Sequence, residues 1–209
     1  MAEKKTKMAE MENNKFDNAS YTSPIGRMIL HADKSGLTKI ECANDQMTRN
    51  ETEGATDCIN TCDIDCLETA LACSDNIHLH TSLRWLDQYF KDPTKLGQVE
   101  QPVLNMSSYS SKGFLVKVWQ VLRKVSKVGE SITYGQVAAL AGNSKASQSV
   151  GQAMRRNPFV LIVPCHRVIR ANAKIGNYSW LNGVVTKKWL LDHEKKFIIN
   201  HKKENSVDD

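Results

Sequence analysis

The sequence predicts an α+β protein built in two parts, and three observations carry that expectation. A hairpin pattern stands near the start, two helical segments follow it, and helical stripes dominate the second half, two of them short and joined by a glycine-containing turn. The expected organisation is a disordered tail over 1–19, an N-terminal α/β domain over 20–105, a mostly helical C-terminal domain over 106–199 and a disordered tail over 200–209.

Met1 to Ala19 is rich in Lys, Glu, Met and Asn without apolar periodicity, a composition that buries too little to offset the entropy of ordering. Arg27–Ala32 and Leu37–Cys42 read as strands around the turn Asp33-Lys34-Ser35-Gly36. Cys58–Cys73 and Thr81–Phe90 fit helices, the second halted by Asp92-Pro93, and the remainder to about Ser111 reads as linker. Phe114, Leu115, Val118, Leu122 and Val125 share one stripe of a helix over Lys112–Lys127, which Gly129 ends. Thr133 with Gln136 three positions on forms a capping box for a helix through Ala141. Gly142-Asn143 stops it, and Ser144 is placed to cap a second helix to about Arg156, so the pair has helix-turn-helix architecture. Phe159–Val163 is a continuous apolar run suited to a buried strand, closed by Pro164.

The chain has 209 residues, 41% of them hydrophobic, enough for one good core or two small ones. It holds no run of about 18 apolar residues and its start is polar, so neither a membrane span nor a signal peptide is expected, and the six cysteines read as reduced thiols of an intracellular protein. Residues 1–104 carry 11 Lys+Arg against 17 Asp+Glu, whereas residues 105–209 carry 17 against 6. That asymmetry suits a polyanion partner for the second half, and equally a merely solvated basic face.

Pro164-Cys165-His166-Arg167-Val168 places a thiol where the expected strand gives way to a turn. Thiolate sulfur is soft and strongly nucleophilic, and a cationic or hydrogen-bonding neighbour lowers its pKa from about 8.5. His166 and Arg167 are such neighbours, although adjacent residues of an extended segment point to opposite sides, so His166 need not touch the sulfur directly and can act through a bridging water. The competing reading is a buried, inert cysteine.

These residues resemble the O6-alkylguanine-DNA alkyltransferases, also called methylated-DNA–protein-cysteine methyltransferases. The family signature Pro-Cys-His-Arg-Val is preceded here by Ser131-Ile132-Thr133-Tyr134-Gly135-Gln136-Val137-Ala138 and Ala153-Met154-Arg155-Arg156-Asn157-Pro158. It is followed by Gly176-Asn177-Tyr178-Ser179 and Trp189-Leu190-Leu191-Asp192-His193-Glu194. The resemblance covers about residues 112–197, with weaker extensions at Ser23-Pro24-Ile25-Gly26 and Trp85-Leu86-Asp87-Gln88-Tyr89-Phe90. It implies an N-terminal ribonuclease H-like α/β domain with a small antiparallel sheet, and a helical C-terminal domain that moves an alkyl group from guanine O6 in double-stranded DNA to Cys165. The transfer would be irreversible, one lesion per molecule, with the base flipped out of the stack. It further implies a relay of Cys165, an ordered water, His166 and Glu194, with Asn157 bracing the turn. Tyr134 would rotate the 3′ phosphate and protonate the leaving guanine. Ser179 and backbone near Tyr178 would bind O6, and the carbonyls of Cys165 and Val168 would accept from the guanine amine. The second helix would enter the minor groove, which suits its small residues Ala146, Ser149, Gly151 and Ala153; helix packing alone would also explain them.

No G-x-G-x-x-G or G-x-x-x-x-G-K loop is present, so no cofactor is expected. The protein should act as a monomer, in the nucleus if its source is eukaryotic and otherwise in the cytoplasm. Three departures stand out. Gln148 occupies the place where the family has an arginine that fills the gap left by the extruded base; Gln152 or Arg155 would help it, and the change keeps open a non-catalytic sensor of alkylated bases. Trp180-Leu181-Asn182-Gly183 makes the pocket loop two residues longer, and Trp180 is expected to narrow the pocket and favour methyl over benzyl adducts. Asp33 and Thr38 stand where some animal members hold structural zinc, so no metal is expected there. Cys58, Cys62 and Cys66, with Cys73, His78 and His80 nearby, allow a metal or, preferably, a packed cysteine stripe. A thiol hydrolase pairing Cys165 with a distant base such as His193 is a third reading.

Overall fold

A computed structural model describes residues 17–43, 64–72, 74–109 and 113–204. Three strands, β1 (Asp17–Ser23), β2 (Gly26–Asp33) and β3 (Gly36–Cys42), form an antiparallel sheet in that order. The β2–β3 hairpin turns at Asp33–Gly36 as the sequence suggests. Its glycine is required: Gly36 has φ +146°, and a Cβ there would lie 2.7 Å from the Val103 carbonyl oxygen.

Strand β1 corrects the expectation of a disordered tail through Ala19. Asp17–Ala19 pair with Leu30–Ala32, and the side chains of Ala19, Tyr21 and Ser23 alternate into the core. Only two apolar residues carry that alternation, too few to show as a strand by pattern alone.

Helix α1 (Ile64–Ala72) and helix α2 (Ile77–Lys91) pack on the sheet. The α1 segment was expected from Cys58; residues 58–63, Cys73 and the side chain of Cys66 lie outside the described residues, and with them the cysteine cluster. Helix α2 begins four residues before the expected Thr81, because Asn76 Oδ1 accepts from the His78 and Leu79 amides. The segment expected as linker is partly structured: Pro93–Gln98 form a 3₁₀ turn, and Leu37 and Asn105 exchange backbone hydrogen bonds with Val103 and Leu37 beside β3.

Helix α3 (Phe114–Val125) buries Val116, Val118, Trp119 and Leu122, and Trp119 Nε1 donates to the Ala153 carbonyl at 2.8 Å. Strand β4 (Ile132–Thr133) pairs in parallel with β5 (Val168–Ile169). Helix α4 (Tyr134–Leu140) carries the expected capping box: Thr133 Oγ1 accepts from the Gln136 amide and Gln136 Oε1 from the Thr133 amide. Helix α5 (Ser147–Arg155) begins three residues after Ser144, which does not cap it. Asn143 takes up the intervening residues, its side chain accepting from the Lys145 amide and its carbonyl from the Ala146 amide. Residues 159–163 are a buried turn, not a strand: the Val163 amide bonds the Phe159 carbonyl and Leu161 has φ +70°. An apolar run signals burial, and it does not distinguish a strand from a buried turn.

Helix α6 (Val184–Glu204) runs through Asn200–Glu204, which were expected in the second tail. No helix among the described residues is long and apolar enough to cross a membrane. One continuous apolar core runs from the sheet through α2 into α3, α4, α5 and the turn at 159–163, so the two parts share an interior, and the segment carrying Cys165 lies within it.

Candidate active site

Asn157 organises the turn from which the site is built. Its Oδ1 accepts from the Phe159 amide at 3.0 Å, and its Nδ2 donates to the Val163 carbonyl at 2.9 Å and to Cys165 Sγ at 3.2 Å. Cys165–Arg167 then form a 3₁₀ turn instead of the extended segment expected. Successive side chains of such a turn diverge by about 120°. Cys165 reaches a cleft while His166 and Arg167 turn inward, all three buried.

The His166 side chain therefore makes no hydrogen bond to the sulfur. Its Nε2 lies 2.7 Å from Glu194 Oε1, and its buried Nδ1 has no hydrogen-bond partner. Glu194 is fully buried and accepts from four residues: His166, Tyr89 Oη at 2.8 Å, the Gly129 amide at 2.8 Å, and Arg167, whose Nε and Nη2 lie at 2.9–3.1 Å. Burial pushes the Glu194 carboxyl up, but the His166 ring and the Arg167 guanidinium outweigh it and hold the group well below the ordinary carboxylate range. His166 is lowered by burial against the pull of Glu194. The consistent state is a neutral imidazole donating Nε2–H to a carboxylate, with a lone pair left on Nδ1 to accept a proton.

Burial also raises the Cys165 thiol, and the Asn157 amide and the charge of Lys187 oppose that without cancelling it. Lys187 is fully buried, donates to the Val168 carbonyl at 2.5 Å, and is drawn down by burial to about 8.

The cleft has a volume of about 710 Å³. Tyr134, Gln148, Arg155, Cys165, Tyr178 and Ser179 share its wall with Arg170. Burial raises the Tyr134 phenol, as does the sulfur, against Arg170 and Arg155. Gly176 lets the facing loop approach, since a Cβ there would lie 2.9 Å from Tyr134 Oη. On α5, Ser149 is exposed and Gly151 faces open space, whereas Ala153 is buried, so only part of the small-residue set faces outward.

The structure thus brings together the residues singled out from sequence: six line the cleft, Asn157, His166 and Glu194 stand behind it, and Val168 follows the turn with its carbonyl on Lys187. Four others went unassigned. Arg167 had been read as a neighbour of the sulfur and instead pairs with Glu194; Tyr89, Lys187 and Arg170 carry no local signal, because their roles depend on which distant element they meet.

Two expectations are corrected. Trp180 does not line the cleft; its buried ring donates from Nε1 to the Ile25 carbonyl at 3.0 Å, so the longer loop is anchored on the β1–β2 turn and the pocket is not narrowed. His193 pairs with the Tyr89 carbonyl at 3.0 Å and stacks on Trp189 at 4.9 Å, a position that does not serve Cys165. At the two positions where no metal was expected, Asp33 accepts from Asn105 and the Ser35 amide, and Thr38 donates to the His31 carbonyl.

Comparison with known proteins adds the following. Residues 17–99 match the 6-O-methylguanine DNA methyltransferase, ribonuclease-like domain, and residues 113–196 the 6-O-methylguanine DNA methyltransferase, DNA binding domain. The chain is 46% identical over 110 residues to the methylated-DNA–protein-cysteine methyltransferase of Cricetulus griseus, a match covering 53% of this chain and 52% of that protein, about half of the relative's length. It is 32% identical over 148 residues to a probable methylated-DNA–protein-cysteine methyltransferase of Acanthamoeba polyphaga mimivirus, covering 64% of this chain and 97% of that one. The Mycobacterium tuberculosis OGT in complex with DNA superposes with a TM-score of 0.60 at 26% identity, over 86% of this chain and 93% of that one.

Proposed function

The chain belongs to the 6-O-methylguanine DNA methyltransferase family, and from that premise we propose that it repairs DNA by moving an alkyl group from guanine O6 to Cys165 Sγ. The observation that carries this reading is a buried cysteine thiol at a cleft of about 710 Å³, backed by a His166–Glu194 pair whose free Nδ1 is poised to accept a proton.

In this reading the Cys165 proton passes through a water to His166 Nδ1, and the imidazolium formed is held by Glu194. The sulfur attacks the alkyl carbon and displaces the guanine, forming S–C as C–O6 breaks. The electron pair retires into the purine, and Tyr134 donates the proton that makes the leaving base neutral. The product thioether has no hydrolytic exit, so one molecule repairs one lesion. Ser179 and the backbone near Tyr178 hold O6, while the carbonyls of Cys165 and Val168 accept from the guanine amine. The Val168 oxygen already receives Lys187 and retains a second lone pair.

O6 lies inside the stacked duplex, so the base is flipped into the cleft. Helices α4 and α5 serve as the helix-turn-helix, with Ser149 and Gly151 of α5 toward the minor groove, Gln148 beside the extruded position, and Arg155 on the phosphates. The protein acts as a monomer.

Duplex carrying radiolabelled O6-methylguanine, incubated with the parent chain and with Cys165→Ala, tests this. The parent should take up one methyl, found by mass on the peptide containing Cys165, and the variant none. A sensor that lacks transfer, the reading Gln148 favours, would bind the duplex and stay unlabelled.

A further inference from the structure

The reaction centre lies in the C-terminal part of the chain, yet one of its buried hydrogen bonds comes from the N-terminal part. Tyr89 stands on α2, 105 residues before Glu194, and is fully buried. Its hydroxyl donates to Glu194 Oε1 at 2.8 Å and lies 3.3 Å from His166 Nε2, while Nε2 and Oε1 are 2.7 Å apart. An ionised carboxylate only accepts, so the phenol and the imidazole direct their protons at the same oxygen. The Tyr89 ring is held by packing: stacked on Trp85 with centroids 5.7 Å apart, edge-on to Phe90 at 5.2 Å and to His166 at 6.1 Å. Burial and the Glu194 charge push its phenol well above the ordinary value, so it stays a donor.

We propose that Tyr89 is a positioning residue of the alkyl-transfer centre: by drawing part of the Glu194 charge onto its hydroxyl it limits how basic His166 becomes, and so sets the pH at which Cys165 releases its proton. The proposal rests on the reading of Cys165 as alkyl acceptor. It makes the N-terminal domain part of the electrostatics of the reaction.

The other charged and titratable groups around the pair stay in place when the hydroxyl is removed. Glu194 and Lys187 from α6 and Arg167 from the turn act on His166; His193 of α6, its ring 5.7 Å from that of Tyr89, acts on Glu194; Lys187, Tyr134 and Tyr178 act on the sulfur. In Tyr89→Phe, Glu194 still accepts from His166, Arg167 and Gly129, so no charge is left unpaired and only the space of one hydroxyl is vacated.

The test is the pH dependence of Cys165 alkylation by iodoacetamide on the full chain, read from the mass of the peptide containing it. Tyr89→Phe concentrates the carboxylate charge on His166, raises the basicity of the ring and should move the midpoint to lower pH by about half a unit to one unit. Tyr109→Phe, which loses a hydroxyl beside Trp119 and away from the site, should leave it unchanged. Tyr89→Leu should shift the midpoint like Tyr89→Phe while also lowering the melting temperature, which separates the hydroxyl from the packing of the ring. An unchanged or higher midpoint in Tyr89→Phe, or a shift only in Tyr89→Leu, overturns the proposal. The DNA labelling experiment runs beside it: a parent that takes no methyl while the shift is present refutes alkyl transfer, and a parent that takes methyl without the shift refutes the role of Tyr89.

Discussion

Replacing Glu194 with glutamine perturbs the most heavily hydrogen-bonded side chain of the site. The carboxylate accepts from His166, Tyr89, Gly129 and Arg167, with no exposure to water. Glutamine keeps the shape but removes the charge, turns its own N–H groups toward donors, and leaves the buried Arg167 guanidinium without a counter-ion. Breaking one side of a buried ion pair costs about 3–5 kcal/mol. For a chain of this size each kcal/mol is worth roughly 2–4 °C, so the melting temperature should fall by roughly 6–20 °C at pH 7. The pH dependence gives an independent sign. The folded carboxyl titrates below its unfolded value of 4.5, so its stabilisation is complete at neutral pH and is lost as pH falls through 4.5 toward the depressed folded value. The gap between parent and Glu194→Gln should therefore narrow on acidification. Thermal unfolding followed by circular dichroism at pH 7 and at progressively lower pH measures both quantities. A melting temperature within about 2 °C of the parent at pH 7, or a gap that stays constant in acid, would refute the account of Glu194 as the charge that holds the inner wall of the site.

Three further perturbations test other parts of the structure. Lys187→Met removes the buried cation beside Cys165, so iodoacetamide alkylation of the sulfur should require higher pH; because the folded amine titrates near 8 against 10.5 when unfolded, the parent should also gain stability between those values and the variant should not. Trp180→Phe deletes the bond to the Ile25 carbonyl and should cost about 1–3 kcal/mol, seen as a lower denaturant midpoint at unchanged slope. Gln148→Arg adds a cation at the exposed mouth of the cleft and should tighten DNA binding, with a log–log salt slope steeper by about 0.9.

Much of the site was legible because its signals are local. The Thr133–Gln136 capping box and the Asp33–Gly36 turn involve groups three residues apart, and both form as read. The sulfur of Cys165 and its brace Asn157 are eight residues apart on one turn. What escaped was set by packing over long distances. The run 159–163 revealed its burial and not its turn. Strand β1 was hidden by having only Ala19 and Tyr21 to mark its inner face. The direction of Trp180 depended on an Ile25 carbonyl 155 residues away.

By itself the amino-acid sequence determined the α+β class, through short-range patterning and capping, and which side chains to single out around Cys165, through residue type and the family resemblance. Only the tertiary structure decided that Arg167 shares the Glu194 carboxylate with His166 and that Tyr89 reaches it from the N-terminal part of the chain. A side chain inside a shared core takes its partners from whichever elements close around it, and those are selected by packing of the whole chain, not by neighbours in sequence.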